Sequence, residues 1–227
     1  MLLLISDTSG KHGCVALARA GEETRRDEVH LIEAVPLAGG TFSAQLVPQI
    51  AALLAKQGYS KAQIEAFIVV SGPGSFTGLR VGLAAIKALA EILQRPIVPV
   101  SLLELVAVSS GCQGGVLAAL DAGRGEVYAG EYEITSDGAQ LLRERLLSRK
   151  ELALVDRKLA LATPDENLAA IAREAGSTVM HVEASSAFMI ARLGWSKLQA
   201  GKTVTPENLE ANYIRRSDAE IFARPES

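Results

Sequence analysis

Two stretches of this chain, offset by 114 residues, follow one plan. Leu2 to Ser6 is a short apolar run, Asp7-Thr8-Ser9-Gly10 a turn, and Cys14 to Arg19 a second run of strand character. Val116 to Leu120, then Asp121-Ala122-Gly123-Arg124-Gly125, then Glu126 to Glu133 repeat the order of strand, Asp-led turn, strand, with Asp121 in the place of Asp7. Hairpins are common, so the repeat alone leaves chance similarity open. Between and after the two units, strands alternate with helices. Asp27 to Val35 reads as a third strand, and Gly39-Gly40 breaks the chain before Ser43, a plausible N-cap for a helix reaching about Gln57. Ala66 to Ser71 is a compact strand, followed by a glycine-rich turn, a long helix to about Gln94 and the short strand Ile97 to Val100. Later come strands at Lys158 to Ala162 and Thr178 to Val182, with helices near 165–175 and 185–200.

This alternation predicts an α/β protein with a largely parallel sheet and helix cover. Two halves that each open on the same unit are what a two-lobed actin-like ATPase (ASKHA) fold would produce, with duplicated strand-turn-strand openings. The expected lobes are 1–105 and 106–227, divided within 103–112 without a flexible linker, the last segment returning to the first lobe.

Composition narrows the function. The chain has 227 residues, 48% of them hydrophobic, and a net charge of −3. A free-standing nucleic-acid binder usually shows a basic face, so any RNA contact is expected to be shared with a partner. Arg215, Arg216 and Arg224 are the candidates for an auxiliary contact, a solvated terminal face being the plainer reading. The start MLLLISDTSG is too short for a signal-peptide core and has no basic leader. Arg80, Lys87 and Glu91 interrupt the longest apolar stretch, so no membrane span is expected and the protein is read as cytoplasmic. Cys14 and Cys112 form no motif and read as small buried hydrophobes in a reducing compartment.

The most informative segment is Ser71-Gly72-Pro73-Gly74-Ser75-Phe76-Thr77-Gly78-Leu79-Arg80-Val81-Gly82, where a strand passes into a helix. Backbone amides at such a place can cradle an anion. The spacing nevertheless fits neither a Walker loop nor GxGxxG nor a GxSxG elbow, and a purely structural tight turn stays open. On the helix, Arg80, Lys87, Glu91 and Gln94 form a polar stripe, and Gly78, Gly82 and Ala85, with Leu89, form a small-residue face opposite. Glycine inside a helix costs about 1 kcal/mol against alanine, and close approach of another element is the natural compensation. The expectation is that another subunit supplies it; packing within the chain is the alternative.

Catalytic chemistry is sparse. His12, His30 and His181 form no HxxH, HxxxH or HExxH pattern, no metal site is expected, and no nucleophile–base set is nominated. Asp7, Thr8, Ser9 and Asp121 could mark a residual nucleotide site; the plainer reading is that each aspartate caps its own turn.

The Ser71–Gly82 segment, continued by Ala85 to Ala90 and Pro99-Val100-Ser101-Leu102, closely resembles the TsaB family. So do the Asp7-Thr8-Ser9 opening, Asp121-Ala122-Gly123-Arg124-Gly125-Glu126-Val127-Tyr128 and the late Tyr213-Ile214-Arg215. One stretch departs: where the family often carries His-Ser-Glu, this chain has Phe42-Ser43-Ala44, which puts in doubt a polar role at positions 42 and 44. The resemblance implies a scaffold and activator subunit, not catalytic alone. It would pair with TsaD and TsaE in forming N6-threonylcarbamoyladenosine at position 37 of tRNAs that read ANN codons. It would touch tRNA only through that complex, have no cofactor of its own, leave ATP or ADP to the complex interface, and be able to homodimerise in isolation. It also implies that a helical contact with TsaD uses Gly74, Phe76, Thr77, Gly78, Val81, Gly82, Ala85 and Leu89. The competing expectation is an actin-like ATPase or phosphotransferase acting on its own, with Asp7 and Asp121 around a nucleotide.

Overall fold

The computed structural model describes residues 1–21, 28–136 and 138–215. Within it the chain divides into two compact units. One is Met1–Leu105 with Ser185–Asn212; the other is Val106–Ala184 with 213–215. The division falls inside a helix, and the late segment 185–212 belongs to the first unit.

Each unit is built on one five-stranded sheet. In the first, β1 (Leu2–Asp7), β2 (His12–Ala20), β3 (Val29–Ala38), β4 (Ile64–Gly72) and β5 (Ile97–Ser101) lie in the order β3-β2-β1-β4-β5. The β1–β2 and β2–β3 pairs are antiparallel, and β1–β4 and β4–β5 parallel. In the second, β6 (Gly114–Gly123), β7 (Glu126–Thr135), β8 (Gly138–Ser148), β9 (Ala160–Thr163) and β10 (Val179–His181) lie in the order β10-β9-β6-β7-β8. Here β6–β7 and β7–β8 are antiparallel, β6–β9 and β9–β10 parallel. Strand for strand the two sheets have the same order and directions. The repeat read from the sequence is therefore a duplicated topology, that of the α/β actin-like ATPase fold.

Helices cover both faces of the first sheet. On one side lie α1 (Phe42–Lys56) and α2 (Phe76–Leu93), which bury Leu2, Leu4, Val15, Leu17, Phe67 and Val69 together with Leu46, Ile50, Leu83 and Ile86. On the other lies α6 (Ala187–Gln199), across all five strands. Its approach is close: a Cβ on Gly194 would run into the Ile68 side chain. Covered on both faces, β1 is buried from end to end and reads as an unbroken apolar run rather than an alternating one. The Lys197 ammonium donates to Glu104 at 2.6 Å, tying α6 to α3 (Leu102–Ser109) through a pair that is about 15% exposed on each side. In the second unit α4 (Arg149–Leu152) and α5 (Glu166–Glu174) close a smaller core of Leu117, Val127, Leu147, Leu161 and Leu168. Among the described residues no helix is long and apolar enough to cross a membrane.

The way α2 meets β1 corrects one expectation. Gly78 and Gly82 are buried, and the space that their side chains would need is filled from within the chain. A Cβ on Gly78 would meet the Thr8 carbonyl, and one on Gly82 the Thr8 hydroxyl. Gly74, half-buried, stands in the same way against the Ser9 carbonyl. These three glycines do not form a face free to receive a partner helix; the end of β1 occupies it. Phe42 completes the joint, its ring lying 2.8 Å from an idealised Cβ on Gly13 and 3.3 Å from one on Gly78. That is the role of the position at which the family's polar segment is replaced by Phe42: it is packing. The helix following it begins at Phe42, with Thr41 and not Ser43 as its N-cap.

This packing predicts the outcome of Gly82→Leu. The added side chain has no room beside Thr8, and overpacking of this kind costs about 3 kcal/mol, against a helix-propensity gain of under about 1 kcal/mol. For a chain of this length the unfolding temperature should fall by roughly 5–10 °C in calorimetry. An unchanged unfolding temperature would show the Thr8 contact to be loose.

Candidate functional site: the strand-to-helix turn and the helix pair it anchors

The glycine-rich turn is laced to the Asp7-Thr8-Ser9 turn. The Ser75 N–H donates to the Ser9 carbonyl at 2.6 Å. The Thr8 hydroxyl donates to the Gly78 carbonyl at 2.8 Å. Ser75 caps α2, its Oγ accepting from the Gly78 N–H at 3.2 Å while its carbonyl accepts from the Leu79 N–H. Gly72, at φ 129°, takes a backbone form that side chains rarely adopt, and a Cβ there would lie 2.8 Å from the Asn212 carbonyl. The Asn212 N–H in turn donates to Ser71 at 2.8 Å. Two orphan amides at the helix start, those of Ser75 and Gly78, are thus met by the chain's own oxygens. The carbonyls of Thr8 and Ser9 point at the helix start, where phosphate oxygens would be repelled by them. The turn is a structural joint.

Of the residues expected around a nucleotide, the structure brings Asp7, Thr8 and Ser9 together and sets Asp121 in the other unit. Asp7 is 8% exposed. Its Oδ1 accepts from the Ser9 N–H at 2.8 Å and the Ser9 hydroxyl at 2.6 Å. Burial raises its pKa above the ordinary 3.8, and the two Ser9 bonds pull back against that rise. Cys14, its register partner on β2, is pushed up to about 12, first by burial and then by the Asp7 charge. Such a thiol is inert at neutral pH. Asp121 is on β6, 38% exposed, and pairs with Arg149 at 3.4 Å. His12 and His30 are exposed on β2 and β3, and His181 faces Glu166 at 3.4 Å. Among the described residues no three His, Cys, Asp or Glu side chains gather as a metal set.

The Asp7 environment has a pH consequence. A raised folded-state pKa means that burial of the ionised form weakens the fold: the carboxyl's full stabilisation is present below pH 3.8 and is lost as pH rises through the higher folded value. Asp7→Asn keeps an oxygen for both Ser9 donors and removes the charge. It should raise the unfolding temperature at pH 7 and lose that advantage near pH 3, as read by thermal melts at the two pH values.

The surface that the joint presents belongs to α1 and α2. Along α2, Thr77, Arg80, Ala84, Ala88, Glu91 and Ile92 are exposed, Ile92 at 70%. Phe76 is half-buried beneath the Arg80 guanidinium, 3.7 Å from its ring centre. Val81, Ala85 and Leu89 are half-buried along the core edge. Beside it α1 exposes Ala44, Val47, Pro48, Ala51, Ala52 and Ala55, with Ser43 as the first polar residue of that face. The sequence reading singled out α2 and missed α1. The signal was there: α1 is apolar nearly all the way round, more than one sheet can cover.

Comparison with known proteins gives these features a setting. A family model described as TsaD, tRNA N6-adenosine threonylcarbamoyltransferase, matches residues 36–175. The Escherichia coli protein named tRNA threonylcarbamoyladenosine biosynthesis protein TsaB is 27% identical over 231 residues, 96% of either chain. The Haemophilus influenzae protein of the same name is 34% identical over 65% of this chain and 57% of its own length. An uncharacterized Mycobacterium tuberculosis protein is 30% identical over 90% of this chain and 89% of its own. Among solved structures, YeaZ from Pseudomonas aeruginosa shares the fold with a TM-score of 0.69 at 24% identity, over 93% of this chain and 100% of that one. With the glycine-rich turn and these sequence relatives in agreement, the chain belongs to the TsaB family.

Proposed function

We propose that this protein is a non-catalytic scaffold and activator subunit that pairs with TsaD, and with TsaE, to form N6-threonylcarbamoyladenosine at position 37 of tRNAs reading ANN codons in the cytoplasm. Membership of the TsaB family supports a part in tRNA threonylcarbamoyladenosine biosynthesis. The observation that carries the scaffold role is the pair of helices α1 and α2, where Ala44, Val47, Ala51, Ala84, Ala88 and Ile92 are exposed, with Arg80 and Glu91 as the charges among them on α2. A face of small apolar side chains lets helices of a partner approach closely and bury area with little side-chain ordering. The docking surface on this reading keeps Phe76, Thr77, Val81, Ala85 and Leu89 and gains α1, with Gly74, Gly78 and Gly82 acting from beneath as the joint that holds α2 in place. The same face offers a homodimer contact in the absence of TsaD. A buried, self-bonded Asp7 and a turn lined by carbonyl oxygens favour this reading over independent phosphoryl transfer; on this reading any ATP or ADP belongs to the interface of the complex.

Gel filtration of the chain with TsaD, followed by an assay on unmodified tRNA with TsaE, tests the proposal. Co-elution and modification that requires both proteins are expected; threonylcarbamoyl transfer or Mg-dependent ATP turnover by the purified chain alone would overturn it. Ala88→Arg sets a long charged side chain in the middle of the exposed α2 surface. It should weaken TsaD binding by about 3 kcal/mol, roughly a hundredfold, while leaving the unfolding temperature in place. Undiminished binding by this variant would move the contact to another surface.

A further inference from the structure

The β6–β7 turn of the second unit gathers basic side chains from three distant stretches of chain. The hairpin closes on the pair Gly123 and Glu126, so Arg124 and Gly125 form its tip. Gly123, Arg124 and Gly125 all have positive φ, at 71°, 55° and 78°. Glycine or asparagine is the usual occupant of the first tip position; here an exposed arginine stands there. The Arg149 N–H donates to the Gly125 carbonyl at 3.2 Å, which sets Arg149 and exposed Lys150 beside the tip. The Arg149 guanidinium pairs with Asp121 at 3.4 Å. From the far end of the chain, Arg215 donates to the Gly123 carbonyl at 3.4 Å and to the Glu126 carboxylate.

The local carboxylates are already engaged. Asp121 orients Arg149, Glu126 orients Arg215, and Glu151 accepts from the Ser148 N–H at 2.7 Å. The bonds recorded for Arg149 and Arg215 run through a single terminal nitrogen of each, Nη2, of the five N–H donors that a guanidinium presents. Held arginines of this kind suit bidentate recognition of phosphate. Within the turn no apolar side chain exceeds Ala122, so it lacks the aromatic or aliphatic anchor that protein interfaces centre on. Set against Asp121, Glu126 and Glu151, the four cations leave this turn about +1 in a chain of net charge −3.

We propose that this turn, with Arg124, Arg149, Lys150 and Arg215, is a contact for the phosphodiester backbone of the tRNA substrate. It supplies electrostatic positioning without base readout. The identity of the polyanion rests on the tRNA-modification reading above. Of the terminal arginines considered from the sequence, Arg215 joins this cluster; Arg216 and Arg224 lie outside the described residues.

The test uses the assembled complex with TsaD and TsaE, comparing wild type with Arg124→Ala/Lys150→Ala and with Arg124→Gly, which removes the charge while suiting the positive φ. The double variant should raise KM for tRNA about five- to twentyfold near 0.15 M salt. It should also reduce the slope of log affinity against log salt by about one to two in direct tRNA binding. Arg124→Gly should weaken tRNA binding at a retained unfolding temperature, which a purely structural role for Arg124 would not produce. Unchanged KM and salt slope in the double variant would overturn the proposal, as would loss of co-elution with TsaD, which would make the turn a protein contact. Failure of the wild-type complex to modify tRNA would instead count against the scaffold reading; the salt slopes, measured by binding alone, still decide the role of the turn.

Discussion

The seating of α2 on the end of β1 depends on one residue, Thr8. Its hydroxyl donates to the Gly78 carbonyl, its own carbonyl stands where a Gly78 side chain would be, and its side chain fills the space left by Gly82. A helix that carries two glycines gives up intrinsic propensity, and here the loss is exchanged for contact at backbone distance with the central strand. The helix position is then set by carbonyl and hydroxyl groups, which tolerate little displacement, rather than by long side chains, which can adapt. The exposed side of α2 inherits that fixed position. So does α1, through Phe42 wedged between Gly13 and Gly78.

The two sheets repeat a topology and differ in chemistry at equivalent points. Asp7 ends β1 inside the protein, bonded to its own turn and held toward its neutral form. Asp121, its counterpart by sequence offset, lies on β6 in partial contact with solvent and orients an arginine. The first turn has become a packing joint, and the second presents charge. Duplication supplied the scaffold twice, and burial decided what each copy can do.

Much of this was legible in the sequence. The two hairpins, the long helix after the glycine-rich turn and the strand following it lie within a few residues of their expected places, because apolar periodicity and glycine breaks mark them directly. Strand β8 was not legible. Its core, Leu141-Leu142-Arg143-Glu144-Arg145-Leu146-Leu147, has no period of two, and the pairing with β7 skips at Leu142, so Leu141 and Leu142 are both exposed. The expected boundary at 103–112 is largely taken by α3, since a helix can serve as a connection without any loss of polarity signal. For the site, helical periodicity showed that Gly78, Gly82 and Ala85 share a face but could not show what covers it. The answer lies with Thr8, 70 residues earlier than Gly78, and only tertiary structure brings those two turns together.

The return of residues 185–212 to the first unit has a consequence for synthesis. The face of the first sheet that includes Ile68, with Ile5 and Val98 in register beside it, is covered by α6. Those strands leave the ribosome long before α6 is made. At ordinary translation rates the interval is on the order of ten seconds. Throughout it the nascent first sheet has its α1 and α2 cover but a bare second face, so it cannot finish folding as an N-terminal module ahead of the rest. Completion waits for nearly the whole chain, and during that wait the uncovered apolar strands are the natural target of ribosome-bound chaperones.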